Sequence, residues 1–478
     1  MTYPNVYKKV IISLIVCLTL FLVLFHFTST PKVWVDEGFY TEVAKNVALH
    51  SKMGIQLEPG HFYDTSTLTV GYPTIYPVAA SLRFFGVGLW QARLPMIIYM
   101  FCLVLLFYLF TKKRYGFYFA ILSVLLLLSF SPFYGNGRVV IEEIPGLVWF
   151  VLGILMLTYL EESNFQNRYY IILAGLALGI CASSKPIYLA LVSASLILVL
   201  SFWFKKIEKK NILIFGATGF LLPLIFWAFT QFPTIHSLLN IVPTYFHLAS
   251  NHETKIPMIQ TIFTNSKRLF TESTPTLFIL LLGSSVAGLI MGFLKKERKV
   301  GLPEAFLLSF IILNIFAYLP GTGWYRYFFP ASTLVYLLFP VSIFIIASVV
   351  KNETLKKFLL IIPILLIFFQ FYHLTFLSDT SLISNPTRNK ELSLALSEIK
   401  PSQKVFFYNS IEATVFLKST NYSQYLSMGD YLEIGDKNGP LDPSFDYILA
   451  GGGFDEVNFP ASLYEKKIVD RYVLYKKI

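Results

Sequence analysis

Charge is what this sequence has least of. Only 14 % of its 478 residues are Asp, Glu, Lys or Arg, against about 25 % in soluble domains. With 55 % hydrophobic residues and a mean hydropathy of +0.61, a soluble globular chain is excluded. Cysteine is also scarce. Cys17, Cys102 and Cys181 all lie inside apolar runs, which rules out a disulfide framework or a sulfur-ligated metal site and leaves them as small packing residues. Acids are fewer than bases, 28 against 39. The excess bases fall in short clusters between apolar runs, the pattern of membrane orientation rather than of a phosphate-tracking groove, so no nucleic-acid partner is expected. Internal repeats and inverted halves, which would mark a transporter, are absent. Gly451-Gly452-Gly453 lacks the context of a nucleotide-binding loop and reads as a turn.

Long apolar runs are what the chain has instead. A span needs about 20 mostly apolar residues. Eleven candidates occur, near 10–28, 92–111, 117–134, 142–160, 169–184, 187–204, 211–229, 275–294, 303–320, 327–350 and 357–377. The first follows Lys8-Lys9 and no small-x-small cleavage site comes after it, so it reads as an uncleaved transmembrane helix. With the N-terminus inside, the clusters Lys112-Lys113-Arg114, Lys205-Lys206, Lys209-Lys210, Lys295-Lys296 and Arg298-Lys299 all fall on one side, as the positive-inside rule requires. Only the loop 161–168, with Glu161 and Glu162, is weakly basic. The expected fold is therefore an all-α polytopic bundle of about eleven transmembrane helices, N-terminus in and C-terminus out, with a small C-terminal α/β domain.

The large polar pieces then lie outside. The first outer loop, 29–91, begins with a helical pattern from about Glu37 to His50 that could rest in the interface, and holds a second apolar segment, 75–85, too short to span. The second, 230–274, carries His236, His247 and His252 at loose spacing, which favours hydrated side chains over metal ligands. Residues 378–478 show strand patterns at 405–408, 447–449 and 472–475 and a helix at 391–399. Two domains follow: 1–377, the transmembrane catalytic part, and 378–478, the extracytoplasmic part.

Several charges stand where a purely structural bundle would avoid them. Asp36 and Glu37 follow the first span, Arg138 and Glu142-Glu143 precede the fourth, Lys185 ends the fifth, and Tyr325-Arg326 opens the tenth. Each has a plain alternative. Asp36 can cap the helix after it, Arg138 can pair with Glu142 at i,i+4, Lys185 can snorkel and Arg326 can touch a lipid phosphate. All fall at one membrane surface. Carboxylates and cations together suit sugar transfer from a lipid-linked phosphate: an acid takes the proton of an acceptor hydroxyl and cations neutralise the departing phosphate.

These stretches resemble the GT-C superfamily of integral-membrane glycosyltransferases, in its protein O-mannosyltransferase and lipid A aminoarabinose transferase branch. The resemblance rests on Trp34-Val35-Asp36-Glu37, Gly71-Tyr72-Pro73 with Ala92-Arg93-Leu94-Pro95, Glu143-Ile144-Pro145, the glycine-containing run from Gly175 to Ser184-Lys185-Pro186, and Arg326-Tyr327 with Pro330. It implies Asp36 as catalytic base and Glu143 as the second acid, binding the acceptor or orienting Arg138. Glu37, Arg138, Glu142, Lys185, Tyr325 and Arg326 form the substrate site, with Lys185 and Arg326 at the donor phosphate and Glu37 inclined to pairing or capping. Gly71 stands where some relatives carry an acid, and Asp64 is the nearest substitute.

The expected activity is inverting transfer of a sugar from a polyprenyl-phosphate donor to a glycan, lipid or protein hydroxyl, on the extracytoplasmic face of the plasma membrane. No cofactor is implied; a divalent metal is compatible with the superfamily but not expected in this branch. Two other classes fit parts of the pattern: a transporter or flippase for lipid-linked saccharides, and a non-catalytic scaffold of an envelope-polysaccharide machine. A pyrophosphate-linked donor is the alternative within the class.

Overall fold

The computed structural model describes the chain except for residues 1–2, 65–69, 204–207, 233, 241–256, 296–299, 385, 428–431 and 455–458. His247 and His252, and the bases Lys205, Lys206, Lys296, Arg298 and Lys299, lie outside the described residues. The order begins α1 (Tyr3–Leu24), α2 (Val35–His50), the hairpin β1 (Gly54–Glu58) and β2 (His61–Asp64), then α3 (Tyr72–Phe85) and α4 (Leu89–Tyr115). It continues with α5 (Phe117–Ser129), α6 (Ser131–Gly137), α7 (Glu143–Glu162), α8 (Arg168–Ala182) and α9 (Pro186–Trp203).

Among the described residues, six helices are long and apolar enough to cross a membrane, and eight if two bent pairs, α5 with α6 and Tyr325–Leu337 with Phe339–Val349, each count as one. The fifth, sixth and ninth expected spans are apolar helices too, but short ones: α8, the 186–199 part of α9, and Leu302–Tyr318. The chain is thus a mostly helical, multi-pass membrane protein. The charged residues of interest sit at one end of the bundle, here named the site end: α4 and α7 begin there with Arg93 and Glu143 and finish at the far end with Arg114 and Glu162.

At the far end the acids of the weakly basic loop are neutralised. Arg114 bonds Glu304 in two-pronged fashion, Nε–Oε1 at 2.7 Å and an Nη–Oε2 contact at 2.6 Å, and reaches Glu161 at 3.1 Å. Lys113 meets Glu162 at 2.9 Å. Glu161 Oε1 also accepts from the Leu302 amide at 3.0 Å. These acids staple neighbouring helices together, which accounts for their presence in an otherwise basic surface.

The C-terminal part is a six-stranded mixed sheet of order β5-β4-β3-β6-β8-β7. Its strands are β3 (Val405–Tyr408), β4 (Tyr422–Ser427), β5 (Glu433–Gly435), β6 (Tyr447–Ala450), β7 (Tyr464–Val469) and β8 (Tyr472–Lys477). β3 runs parallel to β4 and β6, while the other pairings are antiparallel. A helix, Arg388–Ser397, precedes them. The strands expected at 405–408, 447–449 and 472–475 are all present.

Between bundle and sheet lies α2, and here the interfacial expectation is corrected. Most of the helix is buried, including Glu42, Lys45 and Asn46. Glu42 and Lys45 are spent on the C-terminal part and Asn46 on the Gly54 carbonyl. Lys45 Nζ donates to the carbonyls of Thr414, Leu417 and Ser419 at 3.2, 3.0 and 3.4 Å and lies over the Tyr422 ring. Glu42 accepts from the Tyr422 hydroxyl. Phe39, Val43, Ile75 and Leu82 share one apolar core with Leu392, Val405, Phe407 and Leu449. Polar spacing that looked like a solvated face is an interior seam.

Candidate active site

The residue before α2, Trp34, is its N-cap, and no side chain caps the helix. Asp36 lies in the first turn and its carboxylate turns to Arg326, with which it forms an ion pair. The capping alternative for Asp36 therefore falls. Both side chains keep partial access, 16 % for Asp36 and 15 % for Arg326, which separates this pair from the sealed ones around it. Arg326 is framed by aromatic faces, with its guanidinium carbon 5.2 Å from the Trp34 ring centre, 4.7 Å from Trp324 and 5.1 Å from Tyr327. Such contacts stabilise a cation without removing its hydrogen-bonding edge.

Tyr327 joins this pair to the second cation. Lys185 Nζ stands 5.1 Å from the same ring. It is buried, and it meets Glu142 Oε1 at 3.0 Å and Glu143 Oε1 at 2.9 Å. Lys185 does not snorkel; two buried acids at the start of α7 hold it. Glu143 Oε2 is buried without a hydrogen-bond partner among the described residues. Asp36, Arg326, Tyr327, Lys185, Glu142 and Glu143 thus form one continuous chain of contacts. Tyr327 stood beside Arg326 in the sequence motif but was given no role, because a tyrosine at a span end also fits an interfacial belt.

Lys185 is placed by an approach that only glycine permits. The Gly71 amide donates to the Ser184 carbonyl at 3.0 Å, and a Cβ on Gly71 would stand 1.9 Å from the Ser183 carbonyl oxygen. The absence of an acid at position 71 is therefore a packing requirement. Asp64, the substitute considered, ends β2 on an exposed edge.

Three expected substrate ligands, Glu37, Arg138 and Tyr325, are engaged elsewhere. Glu37 is fully buried and takes both prongs of Arg93, Nε–Oε1 and Nη2–Oε2 at 2.7 Å each. Its Oε1 also accepts from the Val140 amide at 3.3 Å. Arg93 then donates to the carbonyls of Phe27 at 2.7 Å and Pro31 at 2.9 Å. Arg138 does not pair with Glu142 and is not oriented by Glu143. It donates to the Leu22 carbonyl at 2.7 Å and the Thr30 hydroxyl at 2.9 Å. Asn389 adds donations to the carbonyls of Thr28, Ser29 and Pro31 and accepts from the Val33 amide at 3.0 Å. Arg93, Arg138 and Asn389 thus fix the irregular segment 25–33 that delivers Asp36. Tyr325 is also engaged, donating to Glu272 Oε2 at 2.9 Å.

Among the described residues no three or more His, Cys, Asp or Glu side chains converge on one point, so no ligand set for a divalent ion is assembled around Asp36. A cavity of about 40 Å³ lies toward the far end, lined by Leu157, Leu160, Phe165, Phe215, Leu302 and Phe306 among others; it is apolar and carries none of the site charges.

Residues 74–228 match the family of dolichyl-phosphate-mannose-protein mannosyltransferases. That segment includes Arg93, Arg138, Glu142, Glu143 and Lys185 but neither Asp36 nor Arg326. No curated protein sequence matches the chain. Among solved structures, ArnT from Cupriavidus metallidurans bound to undecaprenyl phosphate superposes with a TM-score of 0.63 at 11 % identity, covering 98 % of each chain. The Archaeoglobus fulgidus oligosaccharyltransferase in its apo form gives 0.61 at 13 % identity, over 93 % of this chain and 69 % of that one. The same archaeal enzyme with an inhibitory peptide and a dolichol-phosphate gives 0.59 at 12 % identity, over 94 % and 70 %. The chain is thus similar in sequence to the dolichyl-phosphate-mannose-protein mannosyltransferases over residues 74–228, and over nearly its whole length it shares the fold of ArnT and of the archaeal oligosaccharyltransferase.

Proposed function

We propose that the chain transfers a sugar from a polyprenyl-phosphate donor to an acceptor hydroxyl, with inversion, at the extracytoplasmic face of the plasma membrane. The wider reading that goes with it has eleven spans, a catalytic part at 1–377 and an extracytoplasmic part at 378–478. The observation that carries it is the continuous contact chain Asp36–Arg326–Tyr327–Lys185. The polyprenyl and dolichyl phosphates held by the superposing enzymes supply the donor class.

In this reading the donor phosphate competes for the two cations, Arg326 first because it is the more exposed. As the guanidinium turns to the phosphate, Asp36 is left free to accept a proton. The acceptor oxygen attacks the anomeric carbon from the face opposite the phosphate, and its proton passes to Asp36. The bond from anomeric carbon to phosphate oxygen breaks with its electron pair, and polyprenyl phosphate leaves. Arg326 and Lys185 neutralise the charge that grows on it. A single displacement inverts the anomeric centre. Glu142 and Glu143 keep Lys185 aimed, and the free Oε2 of Glu143 is available to an acceptor hydroxyl. Glu37 and Arg138 act through the backbone that carries Asp36, not on substrate.

The test is a balance of products. Purified chain in nanodiscs, given a polyprenyl-phosphate hexose or pentose and membrane acceptors, should release one free polyprenyl phosphate per sugar transferred. Movement of intact donor across the bilayer without bond cleavage would instead establish a flippase and end this reading.

A further inference from the structure

The second expected outer loop is not all loop. Residues Met258–Thr271 form a helix, and its two faces differ. On one, Thr261, Asn265 and Leu269 are buried. On the other, Ile259, Phe263 and Phe270 form a stripe at i, i+4 and i+11, each at least 70 % exposed. Large apolar side chains in a row, left bare on a structured helix, require a covering.

The buried face is committed. Asn265 Nδ2 donates to the carbonyls of Leu319 and Gly321 at 2.9 Å each, with a longer bond to Tyr318 at 3.4 Å. Arg268 donates to the Gly323 carbonyl and binds Glu272, which in turn takes the Tyr325 hydroxyl. The helix therefore clasps the turn that ends at Arg326, and its apolar stripe points the other way. Its axial position is fixed as well. A single residue, Glu272, separates it from Ser273–Leu294, a helix long and apolar enough to cross the membrane. A helix of 14 residues measures about 21 Å at 1.5 Å per residue. One end of it is thus pinned to the level where a span enters lipid.

We propose that the helix Met258–Thr271 lies in the headgroup layer on the site side of the bilayer, with Ile259, Phe263 and Phe270 inserted among the upper acyl carbons. The occupant of the stripe is lipid. The continuity with a span and the exposed Lys267 beside the stripe both suit an interfacial helix. This placement rests on the membrane reading alone, not on the transfer reaction.

The experiment places tryptophan on the stripe, Phe263→Trp in one variant and Ile259→Trp in another. Both are compared with the parent protein in nanodiscs of ordinary phosphatidylcholine and of phosphatidylcholine brominated at acyl carbons 6 and 7. The added emission should fall at least twofold in brominated lipid and respond weakly to aqueous iodide. Strong iodide quenching without bromine quenching would put the stripe in water. Quenching by neither, at both positions, would mean that protein covers it. Either result overturns the proposal, and neither depends on whether the protein transfers sugar.

Discussion

Glu37 and Asp36 are neighbours in sequence with opposite fates. Glu37 is sealed with Arg93, and a sealed pair tolerates no partial loss: removing one partner leaves an unpaired buried charge, at about 3–5 kcal/mol. We expect Glu37→Gln to lower the melting temperature strongly in detergent, and Glu37→Gln with Arg93→Met to recover part of the loss; a thermal melt of the three proteins decides. Lys185 is sealed as well, between Glu142 and Glu143, so Lys185→Met should also lower the melting temperature. Per folded molecule it should slow transfer by roughly 10²–10³-fold, the range for losing one preorganised stabiliser of developing charge. The check is kcat at saturating donor, with Glu142→Gln expected to fall short of that loss. The sequence could rank these acids and bases as costly near lipid, but partners about forty to three hundred residues apart could not be read from it. Arg138 paired with Glu142 at i,i+4 was a sound local inference. It failed because the chain breaks between α6 and α7, so the two never share a helix face.

At the scale of elements, α2 is the piece on which bundle and sheet both depend. Its pattern of apolar and polar residues predicts a helix correctly and its surroundings wrongly, since periodicity reports a face but not what meets it. Burial in the seam pushes the Lys45 ammonium down to about 8 from 10.5, with Glu42 pulling the other way. Between those values the unfolded chain holds a proton that the folded chain has lost, so stability rises with pH across that window. Melts taken from pH 8 to 10 should show the rise in the parent protein and a flatter profile in Lys45→Met. Gly71 makes a second element-level case. Gly71→Ala forces α3 away from the Ser183 carbonyl, and overpacking of this kind costs about 1–3 kcal/mol. Transfer should fall more than stability does, because the same loop carries Lys185. The clasp from Asn265 predicts a different signature: Asn265→Leu should raise the donor KM about tenfold while kcat stays within threefold, consistent with a loosened Arg326 and intact chemistry at Asp36.

For the molecule as a whole, the apolar runs and basic clusters made a polytopic bundle legible, because lipid demands long apolar helices and charge bias orients them. What they could not give was length at each span: several expected spans are bent or short, since helices shielded by neighbours need not meet lipid alone. Three of the six C-terminal strands, β3, β6 and β8, were legible from their β-branched and aromatic runs; β4, β5 and β7, the strand order and the core shared with α2 and α3 were not, being set by contacts over hundreds of residues. That shared core predicts that truncation after residue 377 leaves Phe39, Val43 and Ile75 uncovered and yields aggregated protein on size exclusion rather than a smaller active enzyme. The central claim is that Asp36 is the base of a glycosyl transfer for which Arg326 and Lys185 hold the leaving phosphate. Asp36→Asn keeps the shape and an oxygen for Arg326 but removes the proton acceptor. In nanodiscs, at saturating polyprenyl-phosphate sugar, the variant should bind donor within a few-fold of the parent and transfer at least about 10²-fold more slowly, the scale of a lost general base. Transfer within a few-fold of the parent rate would contradict the account.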